Sequence, residues 1–337
     1  MDIPKISILV PAYNCSKYIR QCLSSILNQT YSNFEILISD DGSSDNTRAI
    51  IDGIDDKRIR RFHNDQNLGK NSTCNSLFER TKGQYITVHD ADDFSHPKRF
   101  ELLLRFMELN NDYVMCGSSY YSVTEDGINI IDRNKMETSS EKIRQNIKNE
   151  SQFHGPTLLF KRDMVPMVGG LYRYFTFGED IDFTMRVVEK YQTCNLPHFL
   201  YNYRICPNSI TKSVVNFSFE RAVTNELRYF LASQRKLQGY DCLMVGNKNE
   251  LEAEKKRLIS NLDNFQVIEN SVAYLLHYSM YKQAIILCFK LFYSNIPIMK
   301  YCRLLLYTSR KAFLFIAKKL LGFINYEKVD FSTDTSI

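Results

Sequence analysis

Three short stretches of this 337-residue chain carry side chains suited to a ligand that is aromatic at one end and anionic at the other. They are Pro11-Ala-Tyr-Asn14, Asp40-Asp-Gly-Ser43 and His89-Asp-Ala-Asp-Asp93. Tyr13 offers a ring that can stack on a base. Asp40 or Asp41 can accept a hydrogen bond from a ring N–H, and a second carboxylate can take ribose hydroxyls. Asp90, Asp92 and Asp93 gather more negative charge than a strand end holds comfortably without a cation. Hard oxygen donors at that density suit Mn2+ or Mg2+ carrying a diphosphate. Asp-rich strand ends also serve simply as turns and helix caps, so the weight lies on the three stretches together. A fourth acidic stretch, Gly178-Glu-Asp-Ile-Asp182, opens a helix, where acids favour the helix dipole whatever else they do.

Each stretch must be positioned by an element. Ile6–Val10 is a short apolar run suited to a strand buried on both faces. Phe34–Ile38, Arg58–His63 and Tyr85–Val88 supply three more strands. The spacing of Ile19, Cys22, Leu23, Ile26 and Leu27 predicts a helix between the first two, and another covers Asn71–Arg80, stopped by Gly83. Strands alternating with helices imply an α/β fold with right-handed crossovers and a mostly parallel sheet. In such sheets ligands bind outside the carboxyl ends of the strands, which is where the three stretches fall. After residue 97 the pattern changes to a helix at 97–110, a hairpin turning at Glu125-Asp126-Gly127, strands at Leu158–Phe160 and Phe199–Tyr203, and a helix over 179–191. The reading sets residues 1–215 as one domain, 216–329 as a helical C-terminal region and 330–337 as a frayed tail.

With the elements in place, Val10-Pro-Ala-Tyr-Asn14, Asp40-Asp-Gly-Ser-Ser-Asp45, Asn67-Leu-Gly69 and Asp90-Ala-Asp-Asp93 resemble the inverting GT-A glycosyltransferases of family 2. Gly178-Glu-Asp-Ile-Asp182 is similar to that family's Glu-Asp motif, and Tyr203-Arg204 with Pro207-Asn-Ser-Ile210 to the segment that closes its active site. The resemblance covers about residues 5–212. It implies a Rossmann-like sheet flanked by helices and transfer of a sugar from a nucleotide-sugar, UDP-linked by preference, to a glycan or lipid-linked hydroxyl. It implies that Pro11, Tyr13 and Asn14 frame the base, that Asp40 and Asp41 serve the donor with Asp41 on a uracil ring, and that Asp90 and Asp92 are the ends of a DxD motif whose second residue binds Mn2+ or Mg2+. Asp180 is the implied general base. Beside it, Glu179 and Asp182 either position it or bind the acceptor, His154 either stands where the acceptor enters or is structural, and Arg204, taken toward the acceptor side, pairs with a diphosphate or with a carboxylate of the Glu-Asp motif. Two positions depart from the family pattern. Thr73-Cys74-Asn75 replaces a frequent Ala-Arg-Asn, leaving Lys70 as the substitute cation on the donor, and Cys206 stands where a His is frequent. Arg99 is expected to serve the fold by pairing with a carboxylate, and the histidines other than His154 are assigned to structure.

Composition narrows the alternatives. The chain is 44% hydrophobic and 24% charged, near the globular average, which excludes wholesale disorder. Nine scattered cysteines with no CxxC pair argue against a disulfide framework or zinc site. No signal peptide is expected at Met1-Asp-Ile-Pro-Lys, no apolar run is long enough to span a membrane, and a cytoplasmic location is expected. The net charge is +5, but Asn270–Tyr326 holds eight Lys and Arg and no acid, so the rest carries −3. Phe313, Ile316, Ala317, Leu320 and Ile324 form one face of a helix with Arg310, Lys311, Lys318 and Lys319 opposite. Such a helix, within 300–324, either packs with a solvated face or rests on an anionic membrane at its inner surface. A dinucleotide oxidoreductase needs GxGxxG after the first strand, and none is present. Nucleic-acid binding finds no recognised module. A non-catalytic binder of nucleotide-sugar or glycan on the same fold is the alternative to an enzyme, and the carboxylates at Asp90, Asp92 and Asp180 weigh against it.

Overall fold

The protein was analysed as a computed structural model, which describes residues 3–147, 151–206, 218–261 and 327–328. Strand β1 (Ile6–Ala12) buries Ile6, Ile8, Leu9 and Val10 completely. Both its faces are covered, which is why its sequence is a continuous apolar run rather than an alternating one. It pairs in parallel with β2 (Phe34–Asp41) on one side and β4 (Tyr85–Val88) on the other, and β2 pairs in parallel with β3 (Ile59–Asn64). Helices α1 (Ile19–Leu27), α2 (Thr47–Asp52) and α3 (Lys70–Phe78) make the crossovers. In α1 the buried residues are Ile19, Cys22, Leu23 and Ile26, the stripe set by helical periodicity.

Beyond β4 the sheet becomes mixed. A two-residue strand, β5 (Phe94–Ser95), and helix α4 (Arg99–Leu109) lead into β6 (Tyr113–Val123), which turns at Gly127 into antiparallel β7 (Asn129–Asn134). Helix α5 (Ser140–Asn146) and a 3-10 turn (Gly155–Thr157) precede β8 (Leu159–Lys161), which runs antiparallel to both β4 and β6. The short α6 (Met164–Met167) and then α7 (Glu179–Lys190) follow. Strand β9 (Gln192–Arg204) pairs in parallel along β6 and antiparallel with β5. The sheet is thus parallel where βα units build it and mixed where hairpins do. β9 is longer than the expected Phe199–Tyr203 because β6 gives it a partner along its whole length.

The chain divides into a first compact unit of residues 1–205 and 328–337 and a second of residues 206–327. The described part of the second holds α8 (Ser218–Gln238) and α9 (Lys248–Asn261), which pack on one another with Gln234 hydrogen-bonded to Glu250. The basic helix expected within 300–324, the segment Pro207–Ile210 and the tail 330–337 lie outside the described residues. No helix among the described residues is long and apolar enough to cross a membrane.

Candidate functional site

The strand-end loops meet at the carboxyl edge of the parallel strands, and hydrogen bonds fix them to each other. The Asn14 N–H donates to Ser43 Oγ at 2.9 Å, and Asn14 Oδ1 accepts from the Ser44 N–H at 2.9 Å. Asn14 takes a positive φ of 48° to do so, a conformation Asn tolerates better than most residues. The carboxamide expected on the donor therefore clamps the first loop to the second. Tyr13 beside it is 48% exposed, its ring open at the loop tip, and Pro11 is half-buried next to it. Gly42 carries φ +72°, and a Cβ there would stand 2.5 Å from the backbone of Gln66, so the turn after β2 accepts only glycine.

Asp41 is buried and already well employed. Its Oδ1 accepts from Asn64 Nδ2 at 2.7 Å and from the Leu68 N–H at 3.0 Å, and its Oδ2 from the Gly69 N–H at 2.9 Å. The carboxylate thus shapes the Asn67-Leu-Gly69 turn from below, leaving about one lone-pair direction of four for a ligand. Asp40, equally buried, has an Oδ1 that meets no donor among the described residues. A buried, unpaired acceptor is costly unless something completes it, and an incoming N–H would.

The fourth loop carries most of the charge. The Lys70 ammonium, at the start of α3, stands 2.9 Å from Asp90 Oδ1 and 3.3 Å from Glu179 Oε1. It is the cation that the Thr-Cys-Asn departure left open, and it has gone to these two carboxylates. Burial opposes the charge on Lys70, but Asp90 and Glu179 outweigh it and hold the ammonium protonated, well above its ordinary pKa. Burial likewise opposes ionisation of Asp90, and Lys70 reverses the balance so that Asp90 sits below the usual carboxylate range. Glu179 is pushed up by burial first and by Asp180 next. No side chain among the described residues meets the Asp92 carboxylate, and burial together with the charge of Asp90 raises its pKa to about 6. Asp93 is fully buried and raised by burial and by its two neighbours, its Oδ1 accepting the Arg204 N–H at 2.7 Å.

Those oxygens fit a divalent cation. Asp92 presents a carboxylate that no side chain among the described residues pairs with and whose charge Lys70 and Arg204 offset only in part, beside a second one in Asp90. No group of three or more His, Cys, Asp or Glu among the described residues is placed to hold a metal. A cation here would be completed by a diphosphate, as is usual for Mg2+-type sites with one or two carboxylates.

Asp180 lies in the first turn of α7, after Gly178 in the left-handed conformation. Its Oδ2 accepts the Gly155 N–H at 3.2 Å, and its Oδ1 the Ile181 N–H at 2.9 Å. His154 immediately precedes that glycine. Its ring stacks on Tyr120 at 4.0 Å and meets the edge of Tyr203 at 5.1 Å. Burial lowers its pKa to about 4, against the pull of Asp180 and Asp90, so it is neutral at neutral pH.

Two expectations are corrected. Arg204, expected to pair with a diphosphate or a carboxylate, has its guanidinium on the Asp92 carbonyl at 2.6 Å, the Glu125 carbonyl at 2.5 Å and Gln21 Oε1 at 2.6 Å, bracing the Asp90–Asp93 loop. Arg99 pairs with no carboxylate among the described residues; its partners there are Ser95, Thr87 and Pro156. Asp182 pairs with Arg173 at 2.7 Å and Arg186 at 3.0 Å and so anchors α7. The residues missed were Gly155, Tyr201 and Asn75. The Asn75 carboxamide reads both backbone groups of Tyr172, at 2.8 and 3.2 Å, and so holds the segment leading to Gly178. Its place in Thr-Cys-Asn was the available signal.

Comparison with known proteins agrees with this geometry. Residues 7–166 match the family described as Glycosyl transferase family 2. An uncharacterised glycosyltransferase of Methanocaldococcus jannaschii is 31% identical over 214 residues, 62% of this chain and 73% of that protein. The chain belongs to glycosyltransferase family 2. Another uncharacterised glycosyltransferase, from Haemophilus influenzae, is 36% identical over 171 residues, which is 50% of this chain and 66% of that relative. Among solved structures, S. aureus TarS 1-349 in complex with UDP-GlcNAc aligns with TM-score 0.53 at 18% identity, covering 83% of this chain and 88% of that one. The mannosyltransferase PcManGT from Pyrobaculum calidifontis, in complex with GDP-Man and Mn2+, aligns with TM-score 0.53 at 16% identity over 94% of this chain and 87% of that one. At such identities the two establish the fold, which is the GT-A fold of this glycosyltransferase.

Proposed function

We propose that this family-2 glycosyltransferase is a metal-dependent, inverting enzyme that moves a sugar from a UDP-linked donor to a hydroxyl of a glycan or lipid-linked acceptor. The observation that supports this most is the Lys70 ammonium, which joins Asp90 at 2.9 Å to Glu179 at 3.3 Å. It draws the donor-side carboxylates and the start of α7 into one site, with Asp180 next to Glu179. Pro11 and Tyr13 frame the base, and Asp40 offers the acceptor oxygen that a ring N–H would satisfy, with Asp41 shaping the turn beside it. This revises the division of labour implied by the family resemblance, in which Asp41 alone meets the ring.

Asp92, with Asp90, would hold Mn2+ or Mg2+. Such an ion supplies Lewis-acid stabilisation of the charge that gathers on the departing diphosphate. Asp180 accepts the proton of the acceptor hydroxyl as its oxygen attacks the anomeric carbon from the face opposite the diphosphate. The new C–O bond forms as the old one breaks, so the centre inverts in a single displacement. The Gly155 N–H keeps one carboxylate oxygen of Asp180 in place while the proton is taken. Neutral His154, on its Tyr120 platform, lines the acceptor side without adding charge. The Mn2+ bound in the mannosyltransferase and the UDP-GlcNAc bound in TarS are consistent with these assignments. A lipid-linked acceptor at the inner face of a membrane would give the basic segment 300–324 its use, which deletion of 298–337 followed by liposome sedimentation tests.

The role of Asp180 is tested by Asp180→Asn. A positioned base contributes about 10²–10⁴-fold, so turnover should fall by that factor with UDP affinity unchanged. An equal loss of UDP affinity would place Asp180 on the donor instead.

A further inference from the structure

Arg99 opens α4 with its side chain fully buried. A guanidinium removed from water needs its donors met, ordinarily by a carboxylate. Its partners here are neutral. Nη1 donates to Ser95 Oγ at 2.9 Å, while Nη2 donates to Thr87 Oγ1 at 2.8 Å and to the Pro156 carbonyl. The guanidinium lies over the Tyr201 ring at 4.9 Å, and Nε meets no acceptor among the described residues. Burial lowers its pKa to about 10, which leaves it charged at neutral pH. Packing alone does not explain keeping a buried cation that pairs directly with no carboxylate among the described residues, because an apolar side chain would fill the space at less cost.

The partners belong to opposite sides of the site. Ser95 Oγ meets His89 Nε2 at 2.9 Å, and His89 Nδ1 meets the Asp90 carbonyl at 2.8 Å. A carbonyl only accepts, so Nδ1 carries the ring proton and the Ser95 hydroxyl donates to Nε2, an assignment made from the network. That chain ends on the first residue of the DxD loop. Tyr201, under the guanidinium, accepts the Asp90 N–H at 3.3 Å. In the other direction, Pro156 belongs to the 3-10 turn whose Gly155 N–H holds Asp180 Oδ2 at 3.2 Å. One planar group thus fastens the donor loop through Ser95 and the base-bearing contact through Pro156.

We propose that Arg99 is a positioning residue that sets the separation between the Asp90–Asp92 loop and Asp180. The inference rests on Asp180 being the base. Lysine retains the charge but brings one ammonium where three acceptors are spread around a plane, so Arg99→Lys should release the turn and keep the loop.

The test compares Arg99→Lys, Gly155→Ala and the double variant. Turnover is read as nucleotide release from whichever of UDP-glucose, UDP-galactose, UDP-GlcNAc and GDP-mannose the wild type uses fastest. Binding is read by titration of UDP with Mn2+. Misplacing a reacting group by about 1 Å costs on the order of 10²-fold, so Arg99→Lys should lose roughly 10- to 100-fold in kcat with its UDP Kd within about twofold of wild type. Because both single variants act on Asp180, the double variant should lose clearly less than the product of the two. An unchanged kcat in Arg99→Lys, a fall in UDP affinity matching the fall in kcat, or fully multiplicative losses would each overturn the proposal. Wild-type turnover that survives Asp180→Asn would instead contradict the base assignment, and this inference with it.

Discussion

The Asp180 carboxylate fills the space that a side chain on Gly155 would need. A Cβ at Gly155 would stand 2.5 Å from Asp180 Oδ2 and 2.7 Å from its Cβ, and the Gly155 N–H holds the same oxygen at 3.2 Å. Position 155 is glycine because α7 presses its acidic first turn into the 3-10 turn, and the contact sets where that carboxylate points. Gly155→Ala should therefore reduce kcat by about 10²-fold and leave UDP affinity unchanged, checked by steady-state kinetics beside calorimetric titration. Full activity in this variant would mean that Asp180 can move without consequence.

Lys70 is the sole side-chain cation within ion-pairing distance of Asp90 and Glu179 among the described residues. Lys70→Met leaves two largely buried carboxylates facing each other without compensation. Breaking a buried pair costs about 3–5 kcal/mol. Lys70 is about a third exposed, and solvent screening reduces the expected loss to about 1–3 kcal/mol. Urea denaturation at pH 7 measures it. Lys70→Arg should recover most of the loss, and a Met variant as stable as wild type would show that the bridge contributes nothing.

Burial, and then the Arg99 charge, push the His89 pKa down to about 3, against about 6.5 for an unfolded histidine. The folded pKa is the lower, so between those values the unfolded chain binds the proton and the native chain does not. Stability from His89 is complete above pH 6.5 and is lost as pH falls, by about 1.4 kcal/mol per unit. Asp92, raised to about 6, works in the opposite sense between pH 6 and 4, so the wild type alone would mask the effect. The difference in unfolding free energy between wild type and His89→Asn should shrink by about 2 kcal/mol from pH 6.5 to pH 5. A constant difference would mean that His89 takes up a proton in the folded protein.

Much of this site could be seen in the sequence because the residues concerned sit at strand ends, where periodicity stops and composition changes. Tyr13, Asp40, Asp90, Asp92 and Asp180 fall in the stretches that stood out, and the structure brings these stretches to one edge. The partners of those residues were not visible. Asp41 turned out to hold the backbone of Leu68 and Gly69, and Arg204 the carbonyls of Asp92 and Glu125, because backbone groups carry no signature in a sequence. Gly155 lies 25 residues from Asp180, and its requirement for glycine comes from a neighbour on another element rather than from a turn. Arg99 was expected to pair with a carboxylate because charge usually finds charge. Its actual acceptors are two hydroxyls and a carbonyl, and only folding brings them together.

The central claim is that Asp92 anchors a metal-dependent nucleotide-sugar site. The most direct measurement is calorimetric titration of UDP, GDP and dTDP into the protein with and without Mn2+, repeated on Asp92→Ala. UDP binding that requires Mn2+ and disappears in Asp92→Ala is the predicted result. UDP binding of equal strength without the metal, or untouched by Asp92→Ala, would contradict it.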